Sequence, residues 1–304
     1  MAEIALGRVI SGTREISSDT LIERAACAAT GLGELGIGAG DAIGVVLRND
    51  FAFFEASCAA RRLGAHSVPV NWHGKAPEIA NALNDCAAKA VVAHADLLAE
   101  VALAVPPGVP LFVVPTPPEI ATAYGIAEER CAPPPDALQW DDLVTCFSPP
   151  PEPPASAQPF EDTADQVFAI APDQEVRTVV AGQLYCIAPD IYALCAVRTG
   201  GLAVLQPRFD GEELLSLIER HRITHLQLTP KMLAGLLRLP EEVRRRCDLS
   251  SLDQVVVGSL PCPHRVMRAM TDWWGPVFQQ YRGASEIGIT TPRASATRRN
   301  TQRG

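Results

Sequence analysis

No stretch of this sequence comes near the roughly 18 uninterrupted apolar residues that a membrane-spanning helix needs. Met1-Ala2-Glu3-Ile4 opens without the basic and apolar run of a secretory leader. A soluble, cytoplasmic protein is the expectation. Basic charge is scarce as well: 26 lysines and arginines stand against 35 acidic residues, for a net charge of −9 and a pI near 5.2. Such a field repels nucleic acid and anionic membrane surfaces on average, so neither is expected as a partner, and small molecules or proteins are. The nine cysteines include no C-x-x-C pair. That removes the common zinc and dithiol spacings, and an odd number cannot all pair within one chain, so the cysteines read as reduced thiols.

What is present is a chain able to bury a large core, with 47% hydrophobic and 20% charged residues over 304 positions. Leu21, Ile22, Ala25, Ala26, Ala29 and Leu32 recur at three- and four-residue spacing behind a cap at Ser18 or Asp19, which predicts an amphipathic helix. Ile43 to Leu47 predicts a buried strand and Phe51 to Leu63 a helix stopped by Gly64. Ser67 to Val70, Lys89 to Ala93 and Leu111 to Val114 read as strands, with a helix opening at Pro77 between the first two. The alternation resumes with strands at 177–180, 202–205, 224–228, 254–257 and 277–280 and helices at 191–198, 212–221, 231–239 and 264–273. Repeated βα alternation implies an α/β fold with parallel-rich sheets flanked by helices.

Between the two alternating stretches, proline clusters from Pro106 to Pro159 and culminates in Ser148-Pro149-Pro150-Pro151-Glu152-Pro153-Pro154. Fixed φ and missing amide donors make that run a linker or surface excursion. The expected organisation is a first lobe over 1–147, a Pro-rich linker region over 148–175, a second lobe over 176–290 and a disordered tail over 291–304. The tail carries four arginines and no acid and has too little apolar surface to offset its ordering entropy.

Several motif-like strings have plain readings. Gly31-Leu32-Gly33-Glu34-Leu35-Gly36 matches G-x-G-x-x-G, but it ends a helix and precedes a strand, the reverse of what a dinucleotide fingerprint needs. His221 and His225 have metal-ligand spacing, yet they straddle a helix end and a strand start. Gly283-Ala284-Ser285-Glu286-Ile287-Gly288 places its last glycine one position late for a nucleophile elbow. Arg244-Arg245-Arg246, beside Glu241 and Glu242, reads as a solvated, partly self-paired surface.

A different set of segments keeps a common order. It runs from Gly40-Asp41-Ala42-Ile43-Gly44-Val45-Val46-Leu47-Arg48-Asn49 through Arg62-Leu63-Gly64-Ala65 and Val68-Pro69-Val70-Asn71 to Leu184-Tyr185-Cys186-Ile187-Ala188-Pro189. It continues through Arg208-Phe209-Asp210, Leu228-Thr229-Pro230 and Gly258-Ser259-Leu260-Pro261-Cys262-Pro263, and closes on Tyr281-Arg282-Gly283-Ala284-Ser285-Glu286. Together these resemble the large N-terminal domain of the adenylate-forming superfamily, specifically fatty-acid-CoA-ligase-like acyl-CoA synthetases. The resemblance implies two lobes of parallel-rich sheet. It also implies attack of a carboxylate on the α-phosphate of ATP to give an acyl-adenylate, then thiol capture as a CoA thioester.

By that resemblance Glu286 would hold Mg²⁺ and Ser285 would stand near the phosphates. Gly258, Ser259, Leu260 and Pro261 with Tyr281, Arg282, Gly283 and Ala284 would frame the adenine of ATP or AMP. Tyr185, Cys186 and Pro189 would line the acyl tunnel for a fatty or aromatic acid. The sequence departs from the pattern in four places. Asp162 to Val176 contains no glycine where a Ser/Thr/Gly-rich phosphate loop is expected. Cys186 replaces a histidine, Arg282 replaces an aromatic residue, and nothing after Glu286 matches the small C-terminal domain with its adenylation lysine. The expectation is an acyl-CoA synthetase-like domain unable to complete the reaction alone. The alternatives are a non-catalytic acyl or nucleotide binding module, or half of a complex with a chain supplying the missing domain; homo-oligomerisation is a further expectation.

Overall fold

The computed structural model describes residues 7–149, 170, 174–258, 261–280, 282–284 and 288–290, the last two stretches by backbone alone. The chain enters through a hairpin, β1 (Arg8–Ser11) and β2 (Arg14–Ser17), and passes directly into α1 (Ser18–Glu34), whose first turn is capped by Ser17 Oγ accepting the Thr20 amide at 3.1 Å. The first lobe continues as β3 (Ala42–Val46), α2 (Phe51–Arg62), β4 (His66–Pro69), α3 (Ala76–Asp85), β5 (Ala90–His94) and α4 (Leu98–Ala104). β6 (Leu111–Val114), α5 (Pro118–Tyr124), β7 (Leu138–Gln139) and α6 (Trp140–Cys146) complete it. Every residue of β3 and β5 is buried, which is why these runs, His94 apart, are apolar rather than alternating.

The second lobe comprises β8 (Arg177–Val180), α7 (Ile187–Arg198), β9 (Leu202–Leu205), α8 (Gly211–His221), β10 (His225–Leu228) and α9 (Pro230–Leu236). It continues with α10 (Glu241–Arg246), β11 (Gln254–Val257), α11 (His264–Trp274) and β12 (Phe278–Gln280). A separate antiparallel pair follows, β13 (Arg282–Ala284) with β14 (Gly288–Thr290). Asp210 accepts the Glu213 amide at 2.9 Å to start α8, and Arg222, left-handed at φ +50°, stops it.

The first sheet has the order β4-β3-β5-β6-β7, all parallel, and the second has the order β12-β11-β10-β8-β9-β1-β2, parallel except at β2. One apolar cluster joins them. It runs from Ile43, Val45 and Phe112 of the first sheet through Leu32, Phe53, Trp140 and Tyr192 on four helices to Val180 and Leu205 of the second. α1, α2, α6 and α7 are therefore the layer between the sheets. A second cluster, with Leu214, Leu233 and Met270, covers the far face of the second sheet, and a third, with Ile79, Leu83 and Val101, covers the far face of the first.

The expected α/β architecture of two parallel-rich sheets is the one observed. Four strands, Leu111–Val114, Arg177–Val180, Leu202–Leu205 and Gln254–Val257, stand at their expected bounds. The hairpin was not anticipated. Through the β1–β9 pairing it belongs to the second sheet, so the interval 1–147 supplies strands to both sheets. Helices α5 and α6 also arise inside the Pro-rich interval. Pro117 and Pro118 sit at the start of α5, where a missing amide hydrogen costs nothing, and Trp140 anchors α6 by its own burial. The Pro-rich run from 150 and the tail 291–304 lie outside the described residues.

Candidate functional site

Because each sheet is parallel, its carboxyl ends share one edge, and in open α/β sheets ligands bind outside that edge. Here the two carboxyl edges meet. Trp72, beyond β4, donates Nε1–H to Gln183 Oε1 at 3.2 Å, beyond β8. Tyr124, at the end of α5, donates its hydroxyl to Pro207 O at 2.8 Å, beyond β9. Asn49, beyond β3, reaches Gly182 O at 2.7 Å and Gln206 O at 3.1 Å.

Of the residues named from the sequence for the adenine, Gly258 stands at this edge, directly after β11. Val257 pairs with Gln280, so β11 and β12 end side by side. Gly258 is buried and its amide donates to Leu228 O at 3.2 Å, which holds the turn against β10. Pro261 to Pro263 lead into α11. Arg282, Gly283 and Ala284 form β13. Ser259, Leu260, Tyr281, Ser285 and Glu286 lie outside the described residues.

The residues that the sequence resemblance assigns to the acyl group follow β8 and open α7. Cys186 is the exposed residue that caps α7; its amide donates to Gln183 O at 3.0 Å and its carbonyl accepts the Asp190 amide at 3.3 Å. Tyr185 is half-buried against the apolar cluster of the first sheet, and burial, then its neighbours Cys186 and Tyr124, push its phenol up to about 12. Pro189 is buried beside Gly182. A Cβ built on Gly182 would lie 3.2 Å from both Pro189 Cγ and Gln227 Oε1, so the turn after β8 has no room for a side chain.

Sequence reasoning did not single out the charged residues behind Tyr124. The Arg48 guanidinium lies between the rings of Trp72 and Tyr124, 4.0 and 4.2 Å from their centroids, and both Nε and Nη2 donate to Asp96 Oδ2, at 3.1 and 2.6 Å. Its Nη1 is buried with no hydrogen-bond partner among the described residues. A cavity of about 340 Å³ opens beside this stack, lined also by Lys75, Glu100 and Arg130. The only signal in the sequence was Arg48 next to Asn49 at the end of an apolar strand. A wider cavity of about 1190 Å³ runs between the β1–β2 hairpin and α8, but Glu119 there is taken by Ser11 and Arg14, and Glu213 by Gln206.

The plain readings of the other motifs agree with their positions. Gly31 to Gly36 closes α1, with the Leu35 amide on Gly31 O and Gly36 at φ +83°. His221 ends α8, whereas His225 is buried at the start of β10 against Thr224. Arg245 pairs with Glu241, and Arg246 with Glu212 at 3.0 Å. Among the described residues no group of three histidine, cysteine or acidic side chains could hold a metal ion.

Comparison with known proteins gives these positions a context. A family model described as AMP-binding enzyme matches residues 3–164 and 155–303. Medium/long-chain-fatty-acid–CoA ligase FadD8 of Mycobacterium tuberculosis is 42% identical over 91 residues, 30% of this chain and 15% of that protein. Indoleacetate–CoA ligase of Aromatoleum aromaticum is 27% identical over 257 residues, 75% of this chain and 47% of that protein. The chain thus spans about half the length of that relative or less. Among solved structures, the amide bond synthetase McbA of Marinactinospora thermotolerans superposes with a TM-score of 0.75 at 21% identity, over 94% of this chain and 58% of that one. A benzoate CoA ligase of Burkholderia xenovorans gives 0.73 at 19%, over 93% and 59%. At those identities the likeness is one of fold.

Proposed function

The chain belongs to the AMP-binding enzyme family, and we propose that it is the acyl- and adenine-binding portion of a carboxylic acid:CoA ligase, one that does not complete acyl-adenylate formation by itself. The observation that carries this reading is the register Val257↔Gln280. It sets Gly258, directly after β11, and the end of β12 at the carboxyl edge of the same sheet whose strand β8 leads on to Tyr185 and Cys186. An acyl-adenylate needs that arrangement, with a flat base held by backbone turns at one end and an apolar acyl group at the other.

In this reading Gly258 to Pro261 and Tyr281 to Ala284 bind the base, and Tyr185, Cys186 and Pro189 border the acyl group. Ser285 stands near the phosphates, and Glu286 is the acid that would hold Mg²⁺. Bound Mg²⁺ would supply charge neutralisation at the phosphates. The segment Asp162 to Val176, which lacks glycine, offers side chains where a phosphate cradle needs bare backbone amides. Binding is therefore retained better than turnover, which also favours a second reading: a binding module for an acid or nucleotide, or a half-enzyme completed by another chain. Among acids, the fatty and aromatic classes are the first to test. CoA as the thiol acceptor belongs to the same proposal.

The test is thermal unfolding of the purified chain with and without a non-hydrolysable acyl-adenylate analogue. A ligand that binds only the folded state raises the midpoint by mass action. A rise of several degrees at saturating analogue, without ATP-dependent thioester formation, is the expected result. A cooperative melt that the analogue leaves unmoved overturns the binding reading, and robust ATP-dependent turnover by the chain alone overturns the claim that it does not complete acyl-adenylate formation by itself.

A further inference from the structure

We propose that Asn49 is the positioning residue of this site: its carboxamide fixes the turn after β8, and through it the presentation of Tyr185 and Cys186. The site's meaning rests on the function proposed above, but the positioning does not. Asn49 is 1% exposed and lies in the first lobe, immediately after Arg48. Its Nδ2 donates to Gly182 O at 2.7 Å and to Gln206 O at 3.1 Å, with Val180 O at 3.5 Å, and its Oδ1 accepts the Leu184 amide at 3.0 Å. An amide has two N–H donors and one carbonyl, and all three are used here across the lobe boundary.

The orientation of the amide follows from its partners. Reversing it would set the carbonyl oxygen against Gly182 O and Gln206 O and the NH₂ against the Leu184 amide, so only one orientation satisfies the network. The turn needs this support because it has left the ladder of β8. Ala181 bonds back to Val179 O and Cys186 to Gln183 O, which leaves Gly182 O and Leu184 N to be met by Asn49. From the other side the turn is confined by Pro189 and Gln227, which close on Gly182. Two walls, one from each lobe, thus set a segment that ends at Cys186 capping α7. Gln206 O is held by the same amide, so the carboxyl ends of β8 and β9 move together with the first lobe.

Cys186 is a ready reporter, because it and Cys146 are the exposed cysteines and Cys146 belongs to α6 rather than to the turn. The experiment labels the full chain with iodoacetamide and reads the two sites by peptide mass spectrometry in wild type, Asn49→Asp and Asn49→Ala. The aspartate keeps the size and turns two donors into an oxygen facing carbonyls; the alanine removes the group. Losing one buried hydrogen bond shifts a local equilibrium by about tenfold, so Cys186 labelling should change by about that factor while Cys146 stays within twofold. The midpoint shift with the acyl-adenylate analogue should be lost in both variants.

An unchanged Cys186 rate in variants that still melt cooperatively overturns the proposal. Should neither variant fold, amide exchange in the wild type decides: Leu184 N–H must be protected, and fast exchange overturns the role. A wild type that ignores the analogue while Cys186 still responds to Asn49→Asp rejects the proposed function and leaves the positioning intact.

Discussion

His94 Nε2 lies 3.2 Å from Asp50 Oδ2, while His94 Nδ1 accepts the Arg48 amide at 3.1 Å. An imidazole that accepts at Nδ1 must carry its proton on Nε2, so the ring donates to Asp50. The other carboxylate oxygen takes Arg14 Nη2 at 2.6 Å, from β2 of the second sheet. Burial alone would raise the Asp50 carboxyl, but His94 and Arg14 outweigh it and hold its pKa down at about 2. A depressed carboxylate contributes stability that is present above its unfolded pKa, near 4, and is lost as pH falls through about 2. The contribution is about 2 kcal/mol. Urea unfolding of the wild type should therefore weaken between pH 4 and pH 2. Asn at position 50 should lower stability at pH 6 by a similar amount and flatten that window. Parallel pH profiles for the two proteins would remove Asp50 from the account.

Asp190 works in the opposite direction. Its Oδ1 is buried on α7 without a hydrogen-bond partner among the described residues, and burial pushes its carboxyl up to about 7, with Arg61 on α2 offsetting only part of the rise. A raised acid contributes fully below its unfolded pKa, near 4, and that contribution is lost as pH rises through about 7. The loss is roughly 4 kcal/mol. Asp190→Asn should thus raise the melting temperature at pH 8 and leave it nearly unchanged at pH 3. A stabilisation of equal size at both pH values would point to a packing effect instead of a titration.

How much of this was legible in the sequence depends on how local each signal is. Strands such as Leu202–Leu205 were readable because a short apolar run between glycines and a turn carries its own boundary. The β1–β2 hairpin was not, since Arg8–Ser11 is defined as a strand by pairing with Leu202–Leu205, nearly two hundred residues away. Site residues divided the same way. Gly258 and Arg282 to Ala284 were named from motif resemblance; Gly258 follows directly on β11, while Arg282 to Ala284 form β13, paired with β14. Asn49 stood inside a quoted segment, yet its role needs three backbone partners from the second lobe that no spacing in the sequence reveals. Arg48 and Asp96, and Asp50 and His94, are likewise pairs made by adjacent strands β3 and β5 rather than by neighbouring residues.

The Gly200-Gly201 pair separates two kinds of glycine requirement. Gly200 has φ +72°, where an L-residue is strained by roughly 1–2 kcal/mol. Gly201 carries no such φ, but an added Cβ would overlap Val176 O, a backbone atom that cannot rotate away. That carbonyl accepts the Leu202 amide at 3.0 Å, and Gly201 O accepts the Arg8 amide at 2.9 Å, so Gly201 sits where β8, β9 and β1 are tied together. Gly201→Ala must push β9 away from Val176 and with it loosen the hairpin, whereas Gly200→Ala only strains one residue. Denaturant unfolding should show Gly201→Ala as the more destabilising by at least about 2 kcal/mol, beyond the ordinary range for one added methyl group against mobile side chains. Exchange of the Arg8 and Leu202 amides should rise selectively in Gly201→Ala. If the two alanines cost the same and Arg8 stays protected, the backbone approach at Val176 is looser than these contacts imply, and the hairpin is held chiefly by Arg14 and its carboxylate partners.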